Sequence, residues 1–292
     1  MYTHKRIFII SFLTPAVLIY SLFFVYPMAK AFYICLYRWR GISVRKVYIG
    51  LDNFKKLFHD GIFWISLEHN LYIVVLSLFL LLTISLFFAI VLTKVVKRSR
   101  FYKTVFFFPN ILSEIIIAVL WAFIYNPSFG IFNGFLELIG LSNLTRAWLG
   151  DRHTALTAVT IPGVWRFIGF YMIFFIAGIQ NIPQPLYDAG KIDGTSEWQS
   201  FWFITIPLLW EQIKVAAVYI IIIAFNTFTI VFLMTRGGPN RHTEVVTTYL
   251  YEHAFQYSSF GYATAIGVVL FIVMFSASWF TIRVMKKETI EY

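Results

Sequence analysis

Residues 186–209 of the chain read LYDAGKIDGTSEWQSFWFITIPLL, and this is the one polar, well-punctuated stretch between long apolar runs. Just before it, Pro183 and Pro185 stand where a helix can begin but cannot continue, so the stretch is predicted to open with a short helix. Asp193 and Gly194 then supply a turn, because glycine accepts the positive φ that ends a helix. The first half of the stretch is therefore a helix followed by a tight turn.

The second half of the stretch predicts another helix. Ser196 and Gln199 have the spacing of a capping box, so this helix begins at Ser196, and Pro207 closes the unit. Its apolar positions recur every three or four residues, which gives one face suited to the membrane interface or to a packed neighbour. Those positions are Trp198, Phe201, Trp202 and Thr205.

The composition places this stretch in a membrane protein. Hydrophobic residues make up 59% of the chain and charged residues 13%, about half the charge of soluble domains. The net charge of +10 does not indicate nucleic-acid binding, because the basic residues lie in short connectors rather than on a basic helix. Cys35 is the only cysteine, and no histidine has metal-ligand spacing to another ligand type, so neither a disulfide within the chain nor a metal site is expected.

Six apolar runs are long enough to cross about 30 Å of hydrocarbon, so we predict an all-α fold of six transmembrane helices in a single transmembrane domain, 1–292. A signal-peptidase-like Ala29-Lys30-Ala31 follows the first run, but that run has ~20 residues and exceeds a signal core, so it is read as a span. The predicted spans are 7–26, 70–93, 104–125, 154–178, 214–235 and 261–284, and the loop between the fourth and fifth is 183–209.

Charge distribution predicts the orientation of these spans. Lys and Arg are nearly balanced between the two sides, but one compact basic cluster abuts two spans, and such clusters remain in the cytoplasm. Both termini and the 183–209 loop are then cytoplasmic, in a multi-pass protein of the cytoplasmic (inner) membrane. The cluster consists of Lys94, Lys97, Arg98, Arg100 and Lys103.

Three polar side chains share one predicted depth near the bilayer midplane. Glu114, Arg166 and Asn226 each lie ten to twelve residues into a span, which is roughly 15–18 Å at 1.5 Å per residue. Charges there are expensive and need a partner or water. One interpretation is a structural Glu114–Arg166 ion pair, with Asn226 bridging helices. The other is a central substrate path formed by Glu114, Arg166, Phe170, Asn226 and Thr227, with neighbouring aromatic rings as sugar-stacking faces.

The 186–209 stretch resembles the EAA loop of ABC importer permeases. The matching positions are Asp188, Ala189, Gly190, Asp193, Gly194, Ile204 and Pro207. The resemblance implies that the first helix fits a cleft on a separate ATPase subunit and couples it to the spans. Glycine within a short helix costs about 1 kcal/mol relative to alanine, so Gly190 is expected to weaken this coupling helix.

Further segments resemble the first of two permeases in carbohydrate importers of the maltose and glycerol-3-phosphate type. They are GLDNF at 50–54, TRGGP at 235–239, and Thr243-Glu244, Tyr251, Ala254-Phe255 and Gly261-Tyr262-Ala263. The resemblance implies a second homologous permease, two ATP-binding cassette subunits and an extracytoplasmic solute-binding protein. The sequence has no phosphate-binding G-x-x-x-x-G-K-[ST] loop, so the chain is not expected to be an enzyme or to hold a cofactor, and ATP and Mg²⁺ would bind the partner ATPases.

These observations favour a pore subunit that imports an oligosaccharide or sugar derivative by alternating access, coupled to an ATPase through the 186–209 loop. Because Arg166 is positively charged, an anionic sugar is also a candidate substrate. A second hypothesis is an ion-coupled secondary sugar carrier that uses Glu114. A membrane-embedded enzyme is a third class, but the loops lack clustered polar catalytic residues. Loss of uptake on ATP depletion with the ion gradient intact would distinguish the first hypothesis from the second.

Overall fold

A computed structural model describes residues 2–94 and 99–286 of the chain, and it is almost entirely helical, as predicted. Lys97 and Arg98 of the predicted basic cluster lie outside the described residues. The helices are α1 Tyr2–Tyr20, α2 Tyr26–Ile34, α3 Asp52–Phe58, α4 Gly61–Lys94, α5 Ser99–Ile111, α6 Glu114–Ile124, α7 Ile131–Leu138, α8 Ala155–Gln180, α9 Gln184–Ile192, α10 Glu197–Ser200, α11 Ile206–Leu208, α12 Trp210–Phe225, α13 Thr229–Met234, α14 Val246–Tyr251 and α15 Phe260–Val284.

Short elements connect these helices. Tyr37–Arg38 (β1) and Val47–Tyr48 (β2) pair as an antiparallel ribbon. Three π-helical turns widen the path of the helices, and one 3₁₀ turn lies in the connector before α8. These turns are Ser21–Val25, Phe201–Thr205, Glu252–Gln256 and Ser142–Leu144, respectively.

The chain divides into two compact units, of which the first comprises Met1–Phe63 and Tyr249–Ile272. Its candidate membrane segment, Ser11–Ile34, overlaps the predicted span 7–26 and continues past the C-terminal end of that span. The helix continues past Pro27 because the π-helical turn Ser21–Val25 precedes it and relieves the clash that proline makes in a regular helix. Lys30, which lies beyond the end of the predicted span, has its Nζ 5.7 Å from the centre of the Tyr26 ring, where it is stabilised as a cation–π pair.

A carboxylate organises the extramembrane end of this first unit. Asp60 Oδ1 accepts a hydrogen bond from the Ile62 N–H at 3.0 Å, and Oδ2 accepts from the hydroxyls of Tyr249 and Tyr262 at 2.5 and 2.6 Å. Burial opposes ionisation of Asp60, but these bonds and another from the Phe63 N–H outweigh it and hold its pKa below the ordinary value. Asp60 therefore fixes the start of α4 against the tyrosines as an anion.

The second unit comprises Trp64–Thr248 and Val273–Tyr292, and α8 is its central helix. The α5 backbone approaches α8 so closely at Gly169 that an added Cβ would collide with the Phe106 carbonyl. Tyr171, Met172 and Phe175 of α8 are among the largest fully buried side chains of the described residues. The predicted fourth span, 154–178, corresponds to this helix.

The predicted third span, 104–125, is not one helix, and this is a correction. Its residues form α5 and α6, which meet at an angle of 98°. The Leu112 N–H bonds the Pro109 carbonyl three residues back, which tightens the end of α5, and Ser113 then takes an extended backbone. Glu114 begins α6, where its negative charge is favourable beside the positive end of the helix. The break cannot be recognised in the sequence, because the residues of both helices form one strongly apolar run.

The predicted fifth span, 214–235, is also interrupted. It consists of α12 and α13, with residues 226–228 between them. Among the described residues, five helical segments are long and apolar enough to cross a membrane, and the bent α5–α6 pair would make six. The five are Ser11–Ile34, Gly61–Thr93, Ala155–Gln180, Trp210–Met234 and Phe260–Val284. The chain is thus a multi-pass membrane protein.

Candidate functional site

The second unit encloses a cavity of about 290 Å³ at the two interrupted spans. Glu114 at the start of α6 and Asn226 and Thr227 at the end of α12 line it, together with Arg166 of α8. Four of the five predicted path residues therefore share one cavity. The remaining walls are mostly apolar, and Tyr171 and Tyr219 are among the aromatic residues that line them.

The cavity holds one pair of opposite charges. Arg166 Nη1 lies 3.7 Å from Glu114 Oε2, and both side chains retain some exposure to the cavity. The two helix ends at the cavity also oppose each other, because α6 presents its positive N-terminus and α12 its negative C-terminus. The two interpretations of Glu114 and Arg166 are thus compatible: the pair exists, and it lines the cavity.

Two buried polar atoms of the cavity residues have no hydrogen-bond partner among the described residues: Arg166 Nε and the Tyr171 hydroxyl. Tyr171 is only 1% exposed, so its hydroxyl is neither solvated by bulk water nor paired within the protein. Buried polar groups normally find a partner, and leaving one without costs on the order of 1–3 kcal/mol. Both groups are donors with essentially no accessible surface, so in this structure neither is reached from the cavity.

Phe170 does not line the cavity. Its ring packs against those of Phe167 and Tyr219, with centres 6.4 and 5.9 Å away. Phe167 and Tyr171 line the cavity instead. Spacing from Arg166 does not predict this, because Phe170, four residues after Arg166, lies nearer the Arg166 face of an ideal helix than Tyr171, five residues after it.

Asn70 holds the broken span in place, and the sequence analysis did not find it. This fully buried side chain of α4 accepts a hydrogen bond from the Val246 N–H at 2.9 Å. Its amide donates to the carbonyls of Ala224 and Phe225, each at 3.4 Å. Asn226 then closes α12 by donating to the Ile222 carbonyl at 2.8 Å. The position of the break is therefore fixed by side chains and is not a frayed helix end.

The stretch at 186–209 forms the predicted elbow. Its first helix is α9, and Gly194 follows with φ of +77°, which confirms the turn. The Ser196 hydroxyl accepts from the Gln199 N–H, and the Gln199 side chain accepts from the Ser196 N–H, which confirms the capping box. Pro207 lies in α11, two residues before the break at Leu209.

Gly190 was expected only to weaken α9. In the structure it also allows the two arms of the elbow, α9 and the segment from α10 to α11, to make contact. A Cβ at Gly190 would lie 2.9 Å from Ile204 Cδ1 and 3.0 Å from Thr195 Oγ1. Nearby, the hydroxyls of Tyr187 and Thr205 are hydrogen-bonded at 3.0 Å across the same contact. The local propensity cost of glycine is therefore offset by packing, and the elbow is one packed unit.

The outer surface of the elbow is not covered by the other residues that the structure describes. Asp188 and Ala189 are exposed on α9, and Ile192 at its end is 87% exposed. An apolar side chain this exposed at the tip of a structured loop is typical of a protein contact. Trp198 and Phe203 are also exposed, on the second arm.

The elbow joins the two helices that carry the cavity. α8 bears Arg166 and Tyr171 and ends four residues before α9, while α12 begins just after α11 and ends at Asn226. Between the near ends of α8 and α12, a Cβ at Gly178 would lie 2.6 Å from Leu209 Cδ2, so these helices are in tight contact. A displacement of the elbow therefore acts on both cavity helices about 20 Å from Arg166.

No group of three or more His, Cys, Asp or Glu residues capable of holding a metal ion occurs in the part of the chain that the structure describes.

Comparison with known proteins places this arrangement in a family. A family model described as "Binding-protein-dependent transport system inner membrane component" matches residues 4–286. The chain is 38% identical over 288 residues to the probable ABC transporter permease protein YurN of Bacillus subtilis, with 98% of each chain covered. It is 35% identical to the diacetylchitobiose uptake system permease protein NgcF of Streptomyces coelicolor, over 90% of this chain and 78% of that protein.

Solved structures show the same fold. A chain of a bacterial ABC transporter involved in the import of the acidic polysaccharide alginate superposes with a TM-score of 0.83, 23% identity and 98% coverage of both chains. A second structure contains the alginate transporter in complex with alginate pentasaccharide-bound periplasmic protein, and its TM-score is 0.85, with 23% identity and coverage of 98% of this chain and 96% of that chain.

Proposed function

Because the chain belongs to the family of binding-protein-dependent transport system inner membrane components, we propose that it is the pore subunit of an ATP-driven importer for an oligosaccharide or sugar derivative. The relatives named for diacetylchitobiose and alginate support a saccharide substrate. The observation that carries the proposal is the packed elbow between α8 and α12, since these two helices also line the polar cavity.

In the proposed mechanism, the elbow transmits closure of a separate ATPase to the cavity. Asp188, Ala189, Asp193 and Gly194 present the docking surface, while Gly190, Ile204 and Pro207 keep the two arms together. Because the elbow is packed, a push on α9 moves α8 and α12 as a pair. The cavity then opens alternately to the two sides of the membrane.

The proposed partners are inferred from the sequence, from an exposed membrane segment and from a solved structure of similar fold. The sequence has no phosphate-binding loop, so two ATP-binding cassette subunits supply ATP and Mg²⁺ binding, and this chain is not itself an ATPase. None of the Ser11–Ile34 window is buried within the chain, which supports a second homologous permease beside it, with lipid around the pair. The structure with a periplasmic protein supports an extracytoplasmic solute-binding partner. The elbow and both termini then face the cytoplasm.

In the sequence, Arg166 made an anionic saccharide a candidate substrate. The charges of the cavity favour an uncharged saccharide instead. Glu114 offsets the guanidinium, and the pair offers donors and an acceptor to sugar hydroxyls. The acidic substrate of the alginate transporter belongs to that protein, whose likeness at 23% identity is one of fold.

The test is uptake of labelled oligosaccharides by membrane vesicles that contain the whole assembly. We expect uptake to cease when ATP is depleted with the ion gradient intact. Asp188→Lys and Gly194→Val should leave the protein inserted and ATP hydrolysis present while uptake is lost. Wild-type uptake in both variants would contradict the proposed coupling role of the elbow. Uptake driven by an ion gradient without ATP would favour a secondary carrier that uses Glu114.

A further inference from the structure

Helix α7 lies in the connector between α6 and α8 and is held at the level where both of these helices end. The Phe132 ring packs against that of Tyr125, the residue that ends α6, with ring centres 5.8 Å apart. The turn before α7 is tight at Gly130, where an added Cβ would lie 2.5 Å from the Ile124 carbonyl oxygen. α7 is therefore packed against the end of a membrane segment.

Two hydrogen bonds tie α7 to the start of α8 as well. Trp148 Nε1 donates to Asn133 Oδ1 at 2.7 Å, and Asn133 is buried on the inner face of α7. The Thr154 hydroxyl, at the residue before α8, donates to the Trp148 carbonyl at 2.9 Å. The helix is thus anchored at the ends of two membrane segments, and its orientation about its own axis is fixed by Phe132 and Asn133.

The face of α7 turned away from these anchors is apolar and uncovered. Ile131, Phe135 and Leu138 lie four and then three residues apart, so they share one face, and their exposed fractions are 75%, 53% and 84%. Phe129, two residues before Ile131, is also exposed, and its ring centre lies 6.1 Å from that of the exposed Phe123 on α6. Exposed apolar side chains therefore occur both on α7 and at the adjoining end of α6.

Charge indicates what covers this outer face. The ionisable residue of α7 is Glu137, while the nearby Arg146 and Asp151 pair with each other at 3.8 Å in the connector. A face of aliphatic and aromatic side chains at the level of two span ends matches the headgroup boundary of a bilayer, where such helices lie in the plane of the membrane. A docked water-soluble protein would instead call for a polar rim.

We infer that α7 is an interfacial helix whose Ile131–Phe135–Leu138 face is immersed in the headgroup region of the lipid bilayer on the side opposite the elbow. Besides the permease role, this helix gives the chain a membrane-surface anchor. The anchor braces the connector between the broken third span and α8, which carries Arg166.

The test uses the transporter assembly in phosphatidylcholine–phosphatidylglycerol vesicles, in a Cys35→Ala background. An environment-sensitive fluorophore is attached at Leu138→Cys, at Ile131→Cys as an independent second position on the face, and at Glu137→Cys as the matched control on the same helix. Quenching is measured with a nitroxide lipid labelled near the headgroup and with aqueous iodide. The measurement is then repeated with the extracytoplasmic binding protein added.

We expect iodide quenching at positions 131 and 138 to be several-fold weaker than at 137, and nitroxide-lipid quenching to be several-fold stronger. Added binding protein should not change either ratio. Equal iodide access at all three positions would overturn the inference by showing a solvated face. Iodide protection at 131 and 138 that develops only with binding protein would overturn it in favour of a protein-docking face.

Discussion

At the scale of single residues, the Glu114–Arg166 pair carries the electrostatics of the cavity. A charge at membrane depth that loses its partner costs about 2.5–3.5 kcal/mol on insertion scales. Glu114→Gln and Arg166→Gln should each destabilise the purified protein, while the double variant should be less destabilised than the sum, because no charge is then left unpaired. Thermal unfolding in detergent measures this, and strictly additive effects would show that the two groups do not interact.

The same pair predicts a change in selectivity. Glu114→Gln leaves the Arg166 guanidinium without its counter-charge, so acidic oligosaccharides should gain affinity relative to neutral ones of equal length. Arg166→Gln should act in the opposite direction. Direct binding to the purified assembly without the binding protein measures the ratio for each variant. An acid-to-neutral ratio unchanged in both variants would exclude these residues from contact with substrate.

Asp60 predicts a pH dependence. Its pKa in the folded protein lies below the unfolded value, so ionised Asp60 stabilises the fold at neutral pH, and that contribution is lost as pH falls from the unfolded pKa through the folded one. Asp60→Asn should remove on the order of 2 kcal/mol at neutral pH and flatten the loss of stability in acid. Asp52→Asn, at an exposed carboxylate paired with Lys55, is the control and should change little. Parallel acid profiles for wild type and Asp60→Asn would contradict the role of this carboxylate.

At the scale of elements, the elbow depends on the contact made at Gly190. Alanine in a helix is favoured over glycine by about 1 kcal/mol, so Gly134→Ala, where an added Cβ meets nothing within 4 Å, should be neutral or stabilising. Gly190→Val should instead push Ile204 and Thr195 apart and lower uptake per ATP hydrolysed. The ratio of uptake to hydrolysis in reconstituted vesicles measures this, and an unchanged ratio in Gly190→Val would show that contact between the arms is not needed for coupling.

The elbow could be predicted from the sequence because its determinants are local. The capping box of Ser196 and Gln199 and the turn at Gly194 involve neighbours within a few residues, and both were found where expected. The breaks in the third and fifth spans could not be predicted in this way, since apolar side chains are compatible with one long helix. Their geometry depends on backbone bonding around Ser113 and on the buried Asn70.

The candidate cavity could also be predicted in part, because some of its residues can be recognised locally in the sequence. Charges in an apolar run are conspicuous, which is why Glu114, Arg166 and Asn226 could be placed together from depth alone. Aromatic rings are too frequent in this chain for depth to decide between Phe170 and Tyr171. The distinction requires the rotation of α8 about its axis, which is set by packing against α5 and α12.

At the scale of the whole molecule, the second unit carries the cavity, the elbow and the helices that connect them, so the proposed path from ATPase to substrate lies within one compact unit. The elbow lies at one end of α8 and α12 and the cavity further along them. The proposed coupling requires the elbow to face the compartment that contains ATP, and it requires its tip to be covered by another subunit.

The most direct measurement of this requirement is the accessibility of Ile192→Cys, in a Cys35→Ala background, to a membrane-impermeant maleimide. Ile192 ends α9 and is 87% exposed, so the substitution leaves the packing of the elbow intact. Labelling should occur from the cytoplasmic face only, in inside-out vesicles and not in intact cells, and should be blocked when the ATPase subunits are bound. Labelling from the outside of intact cells, or labelling that bound ATPase does not affect, would contradict the role of this loop as the coupling element.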